Sequence, residues 1–73
     1  MAVSYLKLWK LLLDKKMNKT DLRKVADIST TTLAKLSKDQ LVSMDVMARI
    51  CKAFSCDIGD VMEMIPDNDD DQN

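Results

Sequence analysis

The sequence has no histidine, one glycine, one proline and two cysteines in 73 residues, with a single Trp, Tyr and Phe. Without histidine the chain lacks the side chain most used as a general base and as a metal ligand. Cys51 and Cys56 supply at most half of a closed zinc site, so no metal is expected. They are read as reduced, partly buried thiols rather than a bridge. No serine or cysteine has a base beside it, and no glycine-rich loop is present to cradle phosphate. The expectation is a protein with no catalytic residues, no cofactor and no small-molecule ligand. No apolar run approaches the roughly 20 residues of a membrane span. Lys7 and Lys10 interrupt the N-terminal apolar stretch, and no small-residue cleavage site follows it. A cytoplasmic chain with no membrane partner is therefore expected.

The shortage of glycine, proline and β-branched runs argues against hairpins and favours short helices joined by polar loops. At this length the chain supports one domain around one modest core. The apolar period predicts a first helix over about Tyr5 to Lys16, capped by Ser4, with Tyr5, Leu8, Trp9, Leu12 and Leu13 as its stripe and Lys15 and Lys16 in its last turn. Asn18 and Asp21 stand at capping-box spacing before a second helix, Lys19 to Ala26, with Leu22, Val25 and Ala26 apolar. Ser29 caps a third helix through about Ser37, buried through Leu33 and Leu36, after which Leu41 and Val42 tuck in. Ser43 caps a fourth helix, Met44 to Phe54, whose stripe is Val46, Met47, Ile50, Ala53 and Phe54. Asp57 caps a fifth, Ile58 to Met64, ended by Pro66. The predicted fold is thus all-α, a compact five-helix bundle over residues 1–66. The polar, acidic residues 67–73 have nothing to bury and are read as a disordered tail.

The net charge is only −1, but it is unevenly placed. Residues 1–40 carry nine basic and four acidic side chains, a net of +5; residues 41–73 carry two and eight, a net of −6. Such a split points to a first half that faces a polyanion.

The stretch from Lys19 to Lys38 sharpens that indication. Two short helices separated only by Asp27, Ile28 and Ser29 must meet at a steep angle, as in a helix-turn-helix unit. At about 100° per residue, with Thr31 at zero, Lys35 falls near 40° and Lys38 near −20°, while Leu33 and Leu36 fall near 200° and 140°. One face is therefore Thr31, Lys35 and Lys38, beside the small Ala34, and the opposite face is core. Thr30, Thr31 and Thr32 are weak helix formers, each up to roughly 0.7 kcal/mol worse than alanine. Their hydroxyls and methyls suit base edges at the tip of a helix in the major groove. Thr30, Thr31, Thr32 and Lys35 are the expected base contacts. Lys19, Thr20, Ser29 and Lys38 are the expected phosphate contacts, the first two beside the free N–H groups of a helix start.

The stretches Tyr5–Leu12, Lys19–Ala26, Ile28–Leu36 and Ile50–Asp57 together resemble the Cro and phage-repressor (XRE-like) helix-turn-helix family, in its small single-domain bacterial branch. The resemblance covers about residues 3–65 and implies the lambda-repressor-like fold and sequence-specific double-stranded DNA binding, as a repressor-like transcriptional regulator on the nucleoid. Two positions depart from the family. Arg23 stands where a small residue is frequent, which requires it to point outward or the helices to pack less closely. Asp27 stands where glycine is frequent, at a turn position that commonly needs positive φ.

Six methionines exceed what so short a chain can bury, so part of the fourth and fifth helices should present an apolar patch. That patch would make a two-fold homodimer matched to a palindromic site. The alternative is a module that binds another protein, such as a toxin or a larger regulator, through the patch or the acidic tail.

Overall fold

Each helix after the first starts where a polar side chain takes up a backbone N–H that the helix itself leaves unpaired. In the computed structural model, which describes residues 2–66, the elements are β1 (Ala2–Ser4), α1 (Leu6–Asp14), α2 (Lys19–Ala26), α3 (Thr30–Ser37), α4 (Met44–Phe54), a 3₁₀ turn (Ile58–Asp60) and β2 (Glu63–Ile65). Asn18 caps α2 in a reciprocal box: its Oδ1 accepts from the Asp21 amide at 2.8 Å, and Asp21 Oδ2 accepts from the Asn18 amide at 3.0 Å. Ser29 Oγ accepts from the Thr32 amide at 3.1 Å, and Ser43 Oγ from the Val46 amide at 3.2 Å. The start of α1 is looser. The side chain of its N-cap, Tyr5, makes no capping bond, and Ser4 reaches only the Leu6 amide, at 3.2 Å.

The chain leaves its helices and turns without glycine. Lys16, Asp27, Asp39 and Ser55 all take positive φ, between 52° and 57°, while Gly59 does not. Left-handed backbone is unfavourable for residues with a Cβ, by roughly 1–2 kcal/mol, and aspartate tolerates it better than most.

The core gathers one or two side chains from each α-helix: Leu8 and Leu12 of α1, Leu22 and Ala26 of α2, Leu36 of α3, Met47 and Ile50 of α4, with Val3, Tyr5, Ile28 and Val61 around them. Tyr5 is the least replaceable. It is 1% exposed, its hydroxyl donates to the Gln40 carbonyl at 2.8 Å, and its amide donates to Asp39 Oδ1 at 3.2 Å. One residue thereby ties the entry to α1 to the loop that follows α3.

The C-terminal segment differs from the five-helix expectation. Asp57 does cap, in a second reciprocal box with Asp60, but only a 3₁₀ turn follows. Residues Glu63–Ile65 then pair antiparallel with β1, Ala2 opposite Ile65 and Ser4 opposite Glu63. Among the described residues, four α-helices and a two-stranded sheet stand in place of the all-α bundle. Gly59 and the β-branched Val61 weaken a helix there, and a partner strand at the far end of the chain satisfies the backbone instead. The first helix is also shorter than expected: Tyr5 precedes it, and Lys15 and Lys16 lie beyond it. Stripe positions Leu13 (76% exposed) and Val25 (52%) face outward, as do Ala53 and Leu41. Arg23 is half-buried rather than fully outward.

Both thiols are free and half-buried. The Cys56 amide closes α4 on the Cys51 carbonyl at 3.0 Å, and burial, with Cys51 beside it, pushes the Cys56 thiol above its ordinary range. No described helix is long and apolar enough to cross a membrane. The acidic tail expected at 67–73 lies outside the described residues.

Burial first, and then the Asp39 carboxylate, raise the Tyr5 phenol above its ordinary value of 10.0, against a backbone hydrogen bond at Val42 that lowers it. The unfolded chain therefore loses this proton first. Tyr5 contributes stability that is complete below about pH 10 and is lost as pH rises through the folded-state value. Tyr5→Phe is expected to lower stability near neutrality by about 1 kcal/mol and to flatten the alkaline loss, both measurable by urea unfolding across pH.

Candidate nucleic-acid interface

Between α2 and α3 the chain turns within three residues. Asp27, at φ 53° and ψ 53°, reverses the helix; Ile28 inserts into the core at 6% exposure; Ser29 caps α3. The Ile28 amide donates back to the Arg23 carbonyl at 3.1 Å, which closes α2 around the left-handed residue. The positive φ expected at Asp27 is thus present.

Arg49 of α4 holds this corner from outside. Its Nη1 donates to the Asp27 carbonyl at 2.7 Å, and its Nε meets Asp45 Oδ2 at 3.1 Å. The contact to the Asp27 carboxylate, at 4.0 Å and with Asp27 nearly fully exposed, adds little by comparison. The sequence reading missed Arg49. The i,i+4 spacing of Asp45 and Arg49 was visible, but not the reach across to the turn.

On α3 the two faces separate. Leu36 is fully buried and Leu33 half-buried, while Thr30, Thr31, Ala34, Lys35 and Lys38 are exposed. At about 1.5 Å per residue, this eight-residue helix is about 12 Å long, comparable with the width of a major groove. Thr32 stands apart from its neighbours. It is half-buried, and its hydroxyl oxygen accepts from Ser29 Oγ at 3.0 Å, so it works within the cap. Ser29 is exposed, with its hydroxyl engaged in the same cap.

Lys19 and Thr20 are exposed at the start of α2. Lys19 Nζ lies 4.6 Å over the Trp9 ring and donates to Ser37 Oγ at 3.0 Å, so it joins α1, α2 and the end of α3. That places its ammonium beside Ser37, the neighbour of Lys38. The α2 start is less open to an anion than free N–H groups alone imply, because the Asp21 carboxylate already occupies it. Two groups of expected contacts result: Thr30 and Thr31 at the tip of α3, and Lys19 and Lys38 at its far end, with Lys35 between. Lys7, from the same basic half, turns away and donates to the Gly59 carbonyl at 3.2 Å.

Asp27→Gly removes a left-handed strain of roughly 1 kcal/mol and adds unfolded-chain entropy of roughly 0.5 kcal/mol. A small gain in urea midpoint is expected. Arg49→Met keeps the stem but loses the carbonyl contact; because the side chain is half exposed, the expected loss is at most about 1 kcal/mol. It should also speed hydrogen exchange at the Ile28 amide.

Residues 7–67 match the family model described as the Cro/C1-type HTH DNA-binding domain. The crystal structure of the transcriptional regulator VanUg, form II, superposes with a TM-score of 0.86 and is 47% identical, over 90% of this chain and 88% of that one. No curated protein sequence matches the chain. With its two short helices set across the turn at Asp27 and a family match running through nearly all of the described fold, the chain belongs to the Cro/C1-type helix-turn-helix DNA-binding domain family.

Proposed function

We propose that the chain is a sequence-specific regulator of transcription that sets α3 into the major groove of double-stranded DNA. The observation that carries this reading is the clear outer face of α3, where Thr30, Thr31, Ala34, Lys35 and Lys38 are exposed opposite the buried Leu36. The family and the likeness to VanUg support it. In this reading Thr30, Thr31 and Lys35 meet base edges, with Thr32 reaching them only through its methyl. Lys19, Thr20, Ser29 and Lys38 meet phosphates and fix the register. The protein acts by binding rather than catalysis, without cofactor, in the cytoplasm on the nucleoid. Two copies bind half-sites about 34 Å apart. Residues 1–66 form the binding domain, and the acidic residues 67–73 repel DNA that α3 does not fit.

Selection from a randomised duplex pool at fixed salt tests the reading: a palindromic site is expected, and no enrichment at low salt would overturn it. Lys35→Ala should weaken binding to the selected site by about 1–3 kcal/mol and relax the preference at one position. Lys38→Ala should weaken all duplexes alike and lower the salt slope by about one. Deleting residues 67–73 should raise affinity for unrelated duplexes, measured by fluorescence anisotropy.

A further inference from the structure

Cys51 opens the last turn of α4, and Cys56 follows Ser55, the left-handed residue at φ 52° that ends the helix. On a continuing helix, side chains five positions apart point about 140° away from each other. The reversal at Ser55 folds the chain back instead, and the Cys56 amide donates to the Cys51 carbonyl at 3.0 Å. Standard bond lengths on either side of that contact hold the two Cα atoms within about 7 Å of each other. Disulfides bridge Cα atoms about 4.4–6.8 Å apart. Residues at these two places of a helix-ending turn commonly pack on each other, and the Cys51 thiol does lie beside that of Cys56. Both thiols are free and half-buried.

Cys56 can also be reached from outside. It lines an open depression with Lys7, Lys10, Leu11, Asp14 and Asp60. Two lysines against two aspartates leave that mouth near neutral, so it does not repel an anionic small molecule. Burial first, and then Cys51, Asp60 and Asp57, hold the Cys56 thiol above its ordinary range. Its thiolate is therefore scarce near neutral pH, and the reduced pair is the resting form.

We propose that Cys51 and Cys56 form a thiol–disulfide exchange site whose substrate is the disulfide of a small thiol. The Cys56 thiolate attacks one sulfur of that disulfide; its S–S bond breaks, and one small thiolate leaves and takes up a proton. Cys51, deprotonated in turn, attacks the Cys56 sulfur of the mixed disulfide, and the second small thiol leaves. The two protein thiols give up two electrons and two protons, and the small disulfide becomes two thiols. The new bond closes the loop from residue 51 to residue 56 along a path the backbone already follows, so it constrains the unfolded chain without demanding a new fold. It fastens the end of α4, the helix whose Arg49 supports the corner at Asp27.

The full chain, equilibrated with mixtures of reduced and oxidised glutathione, quenched with a thiol-alkylating agent and weighed intact, tests the site. The expected product is a single chain that has lost two hydrogens, takes up no alkylating agent and regains both thiols with a reductant. By linkage, a bridge that suits the folded chain forms more readily in buffer than in denaturing urea, so the equilibrium constant should be about tenfold larger in buffer. The bridged chain should accordingly unfold at a higher urea concentration than the reduced one. Cys51→Ala removes the resolving thiol and should leave glutathione held on Cys56 as a mixed disulfide. Thiols that stay open to alkylation at every glutathione ratio overturn the proposal, as do glutathione adducts without a bridge or bonds that join two chains. A bridge favoured equally or more in urea overturns it too, because the folded turn would then contribute nothing to the pairing.

Discussion

The corner at Asp27 has to hold its shape for α3 to present anything at all. A left-handed residue there, followed by the buried Ile28, sets the direction in which α3 leaves α2. Aspartate does this less readily than glycine, so the fold supports the corner from a third element: the Arg49 guanidinium on the Asp27 carbonyl. At the other end of α3 the same task falls to Tyr5, which grips Asp39 and Gln40 from the entry to α1. The helix is thus fixed at both ends by bonds from elements distant in sequence. Its outer face is left without structural duty, which is the condition for using that face in recognition.

The three threonines at the start of α3 divide this labour. A run of β-branched residues is a poor opening for a short helix, and Ser29 compensates by capping through the Thr32 amide while its own hydroxyl donates to Thr32. One threonine is thereby absorbed into the framework. Thr30 and Thr31 remain exposed, next to Lys35 one turn further on. Rigidity at the cap and freedom at the tip come from adjacent residues of the same type.

How much of this was legible depends on the range of the interaction. Asn18, Ser29, Ser43 and Asp57 were recognisable as caps because a cap is a contact between near neighbours in sequence, and α2 and α4 run over the residues those caps and the apolar period predicted. The outward lysines of α3 followed from the helical repeat alone. What failed was set by distant partners. Three-residue strands show no period that distinguishes them from a helix turn, and β2 exists because β1 lies beside it. Leu13, Val25 and Leu41 fit apolar patterns yet stay in water, because no described element covers them. Arg49 and Tyr5 act over 22 and 35 residues, and nothing local in the sequence announces either bond.

The two halves of the chain carry opposite net charge. The basic half favours a polyanion and loses affinity as counterions accumulate. The second half carries no such attraction: within residues 41–66 two basic side chains stand against four acidic ones, and like charge keeps this half from a polyanion. The charge asymmetry thus favours approach to a polyanion through the first half of the chain, where the outer face of α3 lies. With α3 as the proposed reading helix, this bias turns the chain toward the duplex before Thr30, Thr31 and Lys35 come within reach of a base edge.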